Sequence, residues 1–353
     1  MLNEPMKNNI LEFSADQLRS WLAEREIAAY RADQLQKWVY LRQADSFDVM
    51  TDISKEIRAQ LSTHFEIGRL KAEMIETSQD GSRKYLYKLK DAKTIESVLI
   101  PERDHFTLCV SSQVGCAQEC RFCLTAAGGF ERNLTRAEIV AQVRDIKRDL
   151  GDQKRLTNIV FMGMGEPLAN YRNLVSAIDI LTDNEAGLRF ASRRVTVSTA
   201  GLIPKIIALG RDTRVNLAVS LNATENKTRN RLMPINHKYP LEKLMEACRQ
   251  YLPAPGRRIT FEYILIKGIN DSVDDAKRLA KLLHSIRCKV NLIPFNTHEG
   301  CEFERPAEAV IQAFYDILFA KNYTVIIRRS KGQDISAACG QLRARSLSHT
   351  PRR

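Results

Sequence analysis

Cys116, Cys120 and Cys123 place three thiols within eight residues, in a loop that follows an apolar, strand-like run and precedes Gly128 and Gly129. Tetrahedral zinc usually takes four ligands, whereas three cysteines on one short loop can hold three corners of an iron–sulfur cubane and leave the fourth iron open. An open iron can chelate the amino and carboxylate groups of S-adenosylmethionine, and an electron from a reduced [4Fe-4S] cluster then breaks the sulfonium bond to give a deoxyadenosyl radical. Zinc with a distant fourth ligand is the competing reading of the same spacing. Gly163-Met-Gly165-Glu166-Pro167 suits the first reading: at a strand end its glycines let backbone approach a ligand, and Glu166 can meet the methionine ammonium. Ser198, the run Ser220, Leu221 and Asn222, and Asn296 also fall at or just past strand ends. Hydroxyls and amides there suit ribose and carboxylate, or serve as ordinary turns and caps.

Such groups need a scaffold that gathers strand ends. Apolar runs at 106–110, 158–163, 194–199, 215–221, 259–266 and 289–295 alternate with amphipathic stretches near 136–150, 171–182, 202–209, 240–252, 272–286 and 307–321. Six such units in series predict an α/β fold with a parallel sheet wrapped by helices. A partial barrel fits six units better than a closed eight-fold barrel or an open doubly wound sheet. Thr135 and Glu138 read as a capping box for the first of these helices. Upstream, residues 83–89 and 94–100 read as two strands around a turn. Residues 14–65 have helical spacing, opened by a capping box at Ser14 and Gln17, with Leu18, Trp21 and Leu22 on one face and Leu35, Trp38, Val39 and Leu41 repeating it. The spacing assigns Trp21 and Trp38 to a core rather than to stacking on bases.

The 54 Lys and Arg exceed the 42 Asp and Glu by 12, which points to a polyanion partner such as nucleic acid. The charge gathers at Arg189, Arg193 and Arg194; at Lys227, Arg229 and Arg231; at Arg328, Arg329 and Lys331; and at Arg343 and Arg345. Each cluster also reads as a solvated face. No window approaches the ~20 apolar residues of a membrane span, and MLNEPMKNN lacks the layout of a signal peptide, so a cytoplasmic protein without membrane contact is expected. In that compartment the eight cysteines read as core thiols, metal ligands or catalytic groups rather than structural disulfides.

The three-cysteine loop, Arg132-Asn-Leu-Thr135, Phe161-Met-Gly-Met-Gly-Glu-Pro167, Met233-Pro-Ile-Asn236, Asn291-Leu-Ile-Pro-Phe-Asn296 and Ala337-Ala-Cys-Gly-Gln-Leu342 together resemble the RlmN/Cfr family of radical methyl-transferring enzymes, over nearly the whole chain. The resemblance implies a partial (β/α)6 radical-SAM barrel with a small N-terminal helical domain and a C-terminal extension. It divides the chain into a helical RNA-binding domain at 1–68, a connecting hairpin segment at 69–100, the barrel at 101–322, and a C-terminal strand, catalytic-cysteine loop and basic tail at 323–353. The implied cofactors are a [4Fe-4S] cluster on Cys116, Cys120 and Cys123 and two molecules of S-adenosylmethionine per turnover, bound by Gly165, Glu166, Ser198, Ser220, Leu221, Asn222 and Asn296. Asn222 departs from the family at a position where many members carry His.

The implied reaction puts a methyl group on carbon 2 of an adenosine in 23S rRNA, with tRNA as a second substrate. Cys339 accepts a methyl from a first S-adenosylmethionine, the radical from a second removes hydrogen from that methyl, and the carbon radical adds to the adenine ring. Cys109 assists release by forming a disulfide with Cys339, and Glu96 matches the proton acceptor. A low-potential electron donor such as flavodoxin or ferredoxin is implied, and a monomer is expected. The competing readings are a Cfr-like carbon-8 methyltransferase and a non-catalytic iron–sulfur sensor that binds RNA, which would have no use for Cys109 and Cys339. Cys248, Cys288 and the pair His298 and Cys301 receive no chemistry.

Overall fold

The computed structural model describes residues 7–151, 155–251, 256–297 and 301–342; His298 and the basic tail from Arg343 lie outside the described residues. One ten-stranded sheet runs in unbroken chain order: β1 (Ala72–Thr77), β2 (Arg83–Lys88), β3 (Thr94–Pro101), β4 (Phe106–Cys109), β5 (Leu156–Phe161), β6 (Val195–Thr199), β7 (Asn216–Ser220), β8 (Ile259–Leu265), β9 (Cys288–Pro294) and β10 (Val325–Ile327). Strands β1 to β4 pair antiparallel and β4 to β10 parallel. The parallel half holds the six predicted units and adds β10 as a seventh strand. The sheet stays open, since β1 and β10 each pair with one neighbour.

Strand β1 was not anticipated from the pattern. Its sequence AEMIET alternates half-buried and exposed positions, as an edge strand with one wet face must, and its two glutamates mask the apolar period. The hairpin of β2 and β3 therefore continues the main sheet through β4.

Helices α4 (Arg136–Leu150), α5 (Tyr171–Thr182), α6 (Ile203–Asp212), α7 (Leu241–Gln250), α8 (Val273–Leu283) and α9 (Glu308–Ala320) form the crossovers, preceded in the chain by α1 (Ala15–Ala23), α2 (Arg31–Gln36) and α3 (Lys55–His64). Reciprocal bonds close both expected capping boxes, Ser14 with Gln17 and Thr135 with Glu138. Among the described residues no helix is long and apolar enough to cross a membrane.

Trp21 and Trp38 both pack on the core cluster. Trp21 meets Phe65 edge-on at 4.9 Å under the Arg25 guanidinium, and Trp38 donates to Asp52 Oδ1 at 2.5 Å with Arg42 over its ring. The amino-terminal helices dock on α4 through buried arginines: Arg136 donates to the carbonyls of Leu11 and Phe13, and Arg144 to that of Gly68. Arg69 adds an ion pair to Asp145 at 2.6 Å. Removing a buried donor strands its acceptors at a cost near 1–3 kcal/mol each. Arg136→Met is thus expected to lose about 2–4 kcal/mol of stability in urea unfolding and to speed proteolytic release of the first 68 residues.

Candidate active site

A short hairpin of Gln113–Gly115 with Phe130–Asn133 bends the chain past the end of β4, and Cys116 N–H then donates to the Gly129 carbonyl at 2.8 Å. In the loop beyond, Glu119 takes a left-handed φ of 54°, Cys123 N–H donates to Cys120 O at 3.1 Å, and Arg121 N–H reaches Leu232 O at 3.0 Å. This path turns Cys116, Cys120 and Cys123 onto one wall of a cavity with about 870 Å³ of space free of protein atoms, its open mouth included. Burial pushes the Cys116 thiol up to about 12 and Cys120 well above its usual range, with the neighbouring thiols adding to both. Binding iron here must release protons.

The facing wall is the turn after β5. Gly165 has φ +99°, and a Cβ built there would stand 2.5 Å from Gln113 Cβ. At Gly163 a Cβ would meet the Val110 carbonyl at 2.7 Å. Gln113 Oε1 accepts from Glu166 N–H at 2.8 Å, which fixes the turn. Glu166 is buried, with Oε2 accepting from Ala200 N–H at 2.7 Å and Oε1 from Leu168 N–H at 3.0 Å. Burial raises its carboxyl to about 7 against the opposing pull of those N–H groups. Thr199 also bonds this carboxyl through its side chain, and the acceptor capacity that remains can receive an ammonium. Gly165→Ala is expected to weaken S-adenosylmethionine binding about 10- to 100-fold in calorimetric titration of cluster-loaded protein, because backbone strain and the Gln113 collision both displace this wall.

Ser198, Ser220 and Asn222 line the cavity from the ends of β6 and β7. Asn222 itself has φ +56°, and its Oδ1 accepts from Ile264 N–H at 2.8 Å, so the side chain bridges β7 to β8. Leu221 and Asn296 fall outside the lining. The Leu221 side chain is fully buried, and its backbone N–H and carbonyl are taken by Glu262 O and Arg229 Nε. Asn296 turns toward the C-terminal segment, donating to Cys339 O at 3.4 Å and accepting from Gln333 at 3.1 Å.

That segment brings in the remaining thiol. Leu124 N–H donates to Gly340 O at 2.8 Å and Thr125 Oγ1 to Leu342 O at 2.6 Å, so the chain around Cys339 is laced to the three-cysteine loop. Cys339 and Gly340 line the cavity, and the accessible surface of Cys339 opens into it. Cys109 lies outside the lining at the end of β4, paired in register with Val98 and Val160. Both thiols are free, and each is pushed up chiefly by burial. The sulfur of Cys339 bears on that of Cys109, and Arg328 is a cation that bears on both. Glu96 is buried in β3, also outside the lining, with Lys84 Nζ 3.6 Å from its Oε1. Lys84 donates in turn to Ile335 O at 2.6 Å, which ties Glu96 to the segment that carries Cys339.

Two protein families match the chain: the ribosomal RNA large subunit methyltransferase N-terminal domain over residues 8–67 and the radical SAM superfamily over residues 110–283. The dual-specificity RNA methyltransferase RlmN of Desulfosudis oleivorans is 57% identical over 98% of this chain and 93% of its own length. The chain belongs to the RlmN family of radical S-adenosylmethionine RNA methyltransferases. The RlmN of Geobacter sulfurreducens is 54% identical over 96% of this chain and 92% of its own. The crystal structure of a radical SAM methyltransferase from Sphaerobacter thermophilus superposes with a TM-score of 0.90 at 43% identity, covering 96% of this chain and all of that one.

Enzymes of the RlmN family use a [4Fe-4S] cluster and S-adenosylmethionine, and the residues present fit both. Three thiols line the cavity, and the absence of Cβ atoms at Gly163 and Gly165 lets the turn that carries Glu166 pack tightly against Val110 and Gln113. Three residues of this RlmN site escaped the sequence reading. Gln113 gave no local signal, and Arg229 read only as part of a basic cluster. Glu262 did: it is the one charge in the strand ITFEYIL, and a charge in a strand buried on both faces needs a reason.

Proposed function

We propose that this RNA methyltransferase places a methyl group on carbon 2 of an adenosine in 23S rRNA and of an adenosine in tRNA. The supporting observation is the lacing of the Cys339 segment onto the three-cysteine loop, through Leu124 with Gly340 and Thr125 with Leu342, which opens the Cys339 thiol and the loop thiols onto one cavity. In this reading Cys116, Cys120 and Cys123 hold the cluster. Gly165, Glu166, Ser198, Ser220, Leu221, Asn222 and Asn296 hold S-adenosylmethionine, Leu221 and Asn296 from behind the lining. The cofactors supply both the methyl group and the radical that activates it. Cys339 carries the methyl to the adenine ring, and Glu96 accepts the proton lost from the ring carbon. Cys109 releases the product by forming a disulfide with Cys339, and external reductant returns two electrons to reopen it.

The same proposal assigns residues 1–68 to RNA binding, 69–100 to a connecting segment, 101–322 to the barrel and 323–353 to the catalytic-cysteine loop and tail. It takes flavodoxin or ferredoxin as electron donor and has a monomer act in the cytoplasm. A base inside structured RNA must be flipped out to reach such a cavity. Mass spectrometry of nuclease-digested rRNA and tRNA, after anaerobic turnover with reductant, tests the reading. It should find 2-methyladenosine, whereas 8-methyladenosine alone would transfer the enzyme to the carbon-8 reaction.

A further inference from the structure

Glu262 and Asn291 are partners in the register of β8 and β9, and two residues on, Ile264 and Ile293 are partners again. Because side chains alternate across a strand, both pairs face the same side of the sheet. Glu262, Ile264 and Ile293 line the cavity with Cys339. The sheet floor thus carries an apolar ledge with a polar pair at its inner edge, about 7 Å along the strand, a spacing that suits a purine ring with a polar rim.

The polar pair is rich in acceptors. Glu262 is 8% exposed and Asn291 6%. Asn291 Nδ2 donates to Glu262 Oε1 at 2.9 Å, while Asn291 Oδ1 is buried with no partner in the structure. Arg328 and Lys289 are the cations that bear on Glu262. Burial raises its carboxyl above the usual range. A desolvated carboxyl held by an amide whose own acceptor is unspent calls for an N–H donor from whatever enters the cavity. Glu262 also bears on the sulfur of Cys339, the thiol assigned to carry the methyl group. Glu262 and Cys339 line the same cavity, so a base brought to Cys339 enters the space that Glu262 faces, and adenine offers one exocyclic donor, its 6-amino group.

We propose that Glu262, oriented by Asn291, reads the 6-amino group of the target adenine while Ile264 and Ile293 carry the ring. This rests on the adenosine methylation proposed above. Guanine and inosine present an oxygen at that position, which would face the carboxyl with repulsion and leave its acceptors unpaired. Sites built to bond a polar substrate group reject analogues that lack it far more strongly than apolar pockets reject a missing methylene.

The test is a double-mutant cycle between protein and RNA. Cluster-loaded wild-type enzyme and Glu262→Gln are assayed on one RNA stem-loop carrying either adenosine or purine riboside, which lacks the amino group, at the target position. Gln keeps the shape and the bond from Asn291 but turns an NH2 toward the ligand. The wild type should lose about 30- to 100-fold in kcat/KM on replacing adenosine by purine riboside. Glu262→Gln should lose as much on adenosine and little more on purine riboside, with KM for S-adenosylmethionine unchanged. Equal loss on both RNAs, or a matching rise in that KM, would overturn the proposal in favour of a contact to S-adenosylmethionine. Equal wild-type rates on the two RNAs would overturn it without reference to any variant. Failure of the wild type to form 2-methyladenosine on the adenosine RNA sinks the underlying reading instead, so the two failures are told apart.

Discussion

Cys109→Ala enzyme, loaded with its cluster and incubated anaerobically with S-adenosylmethionine, reductant and a target stem-loop, should stop at a covalent RNA–protein adduct, with multiple turnover reduced by more than about 100-fold. The expectation follows from where the two free thiols sit. Cys339 opens into the cavity on a segment laced to the three-cysteine loop, whereas Cys109 is buried at the end of β4, in electrostatic reach of Cys339. Burial raises the Cys109 thiol, so its proton must leave as its sulfur attacks Cys339; the Cys339–carbon bond breaks and the methylene carbon takes up a proton to become the methyl group. The other buried cysteines cannot replace it, since Cys248 is on α7 and Cys288 at the start of β9, beside one another. Removing Cys109 therefore leaves bond formation to the base intact and removes the exit. Denaturing gels should show a nuclease-sensitive band of reduced mobility, at most one RNA per chain. Cys339→Ala and the double variant should form neither adduct nor methylated RNA. An adduct in Cys339→Ala would move the attachment to another residue and end the assignment.

Local chemistry was readable from the sequence where the ligands are close in the chain. Cys116, Cys120 and Cys123 share a loop, Gly163 to Glu166 share a turn, and both end up on the cavity. The six βα units were readable because strands buried on both faces and amphipathic helices leave strong periods, and the strands then pair in chain order. Long-range closure was not readable from periodicity: Thr125 and Leu342 bond across 217 residues, and Lys84 reaches Ile335 across 251. The resemblance to a family named Cys339, but residue spacing alone could not bring it to the cluster loop. Arg229 exposes the opposite limit. It stands in NKTRNRL, a helix of only seven residues whose polar composition carries no apolar stripe, so its charge reads as one of a basic cluster with Lys227 and Arg231. In the fold Arg231 is exposed and Arg229 is completely buried.

Arg229→Met is expected to raise KM for S-adenosylmethionine about 10- to 100-fold, to lower the iron content of reconstituted protein, and to cost about 3–5 kcal/mol of stability. Its guanidinium donates to the carbonyls of Ala200 at 2.6 Å, Leu221 at 3.0 Å and Ser220 at 3.1 Å, and to Asn236 Oδ1 at 3.1 Å. Three of these acceptors belong to the turns that close β6 and β7 over the cavity, and Ala200 N–H is the donor that fixes Glu166. One buried cation thus sets the spacing between the walls expected to hold S-adenosylmethionine. Burial lowers it to about 10, and the Cys120 thiol opposes that fall. Ionised cluster thiolates therefore gain a fixed counter-charge from the same side chain. The two roles separate in Arg229→Lys. An ammonium keeps the charge but has three donors and no planar fork, so it cannot span acceptors on both turns. Iron content should recover in the Lys variant while KM stays high. Recovery or loss of both together, in proportion to the melting temperature, would reduce Arg229 to a structural residue.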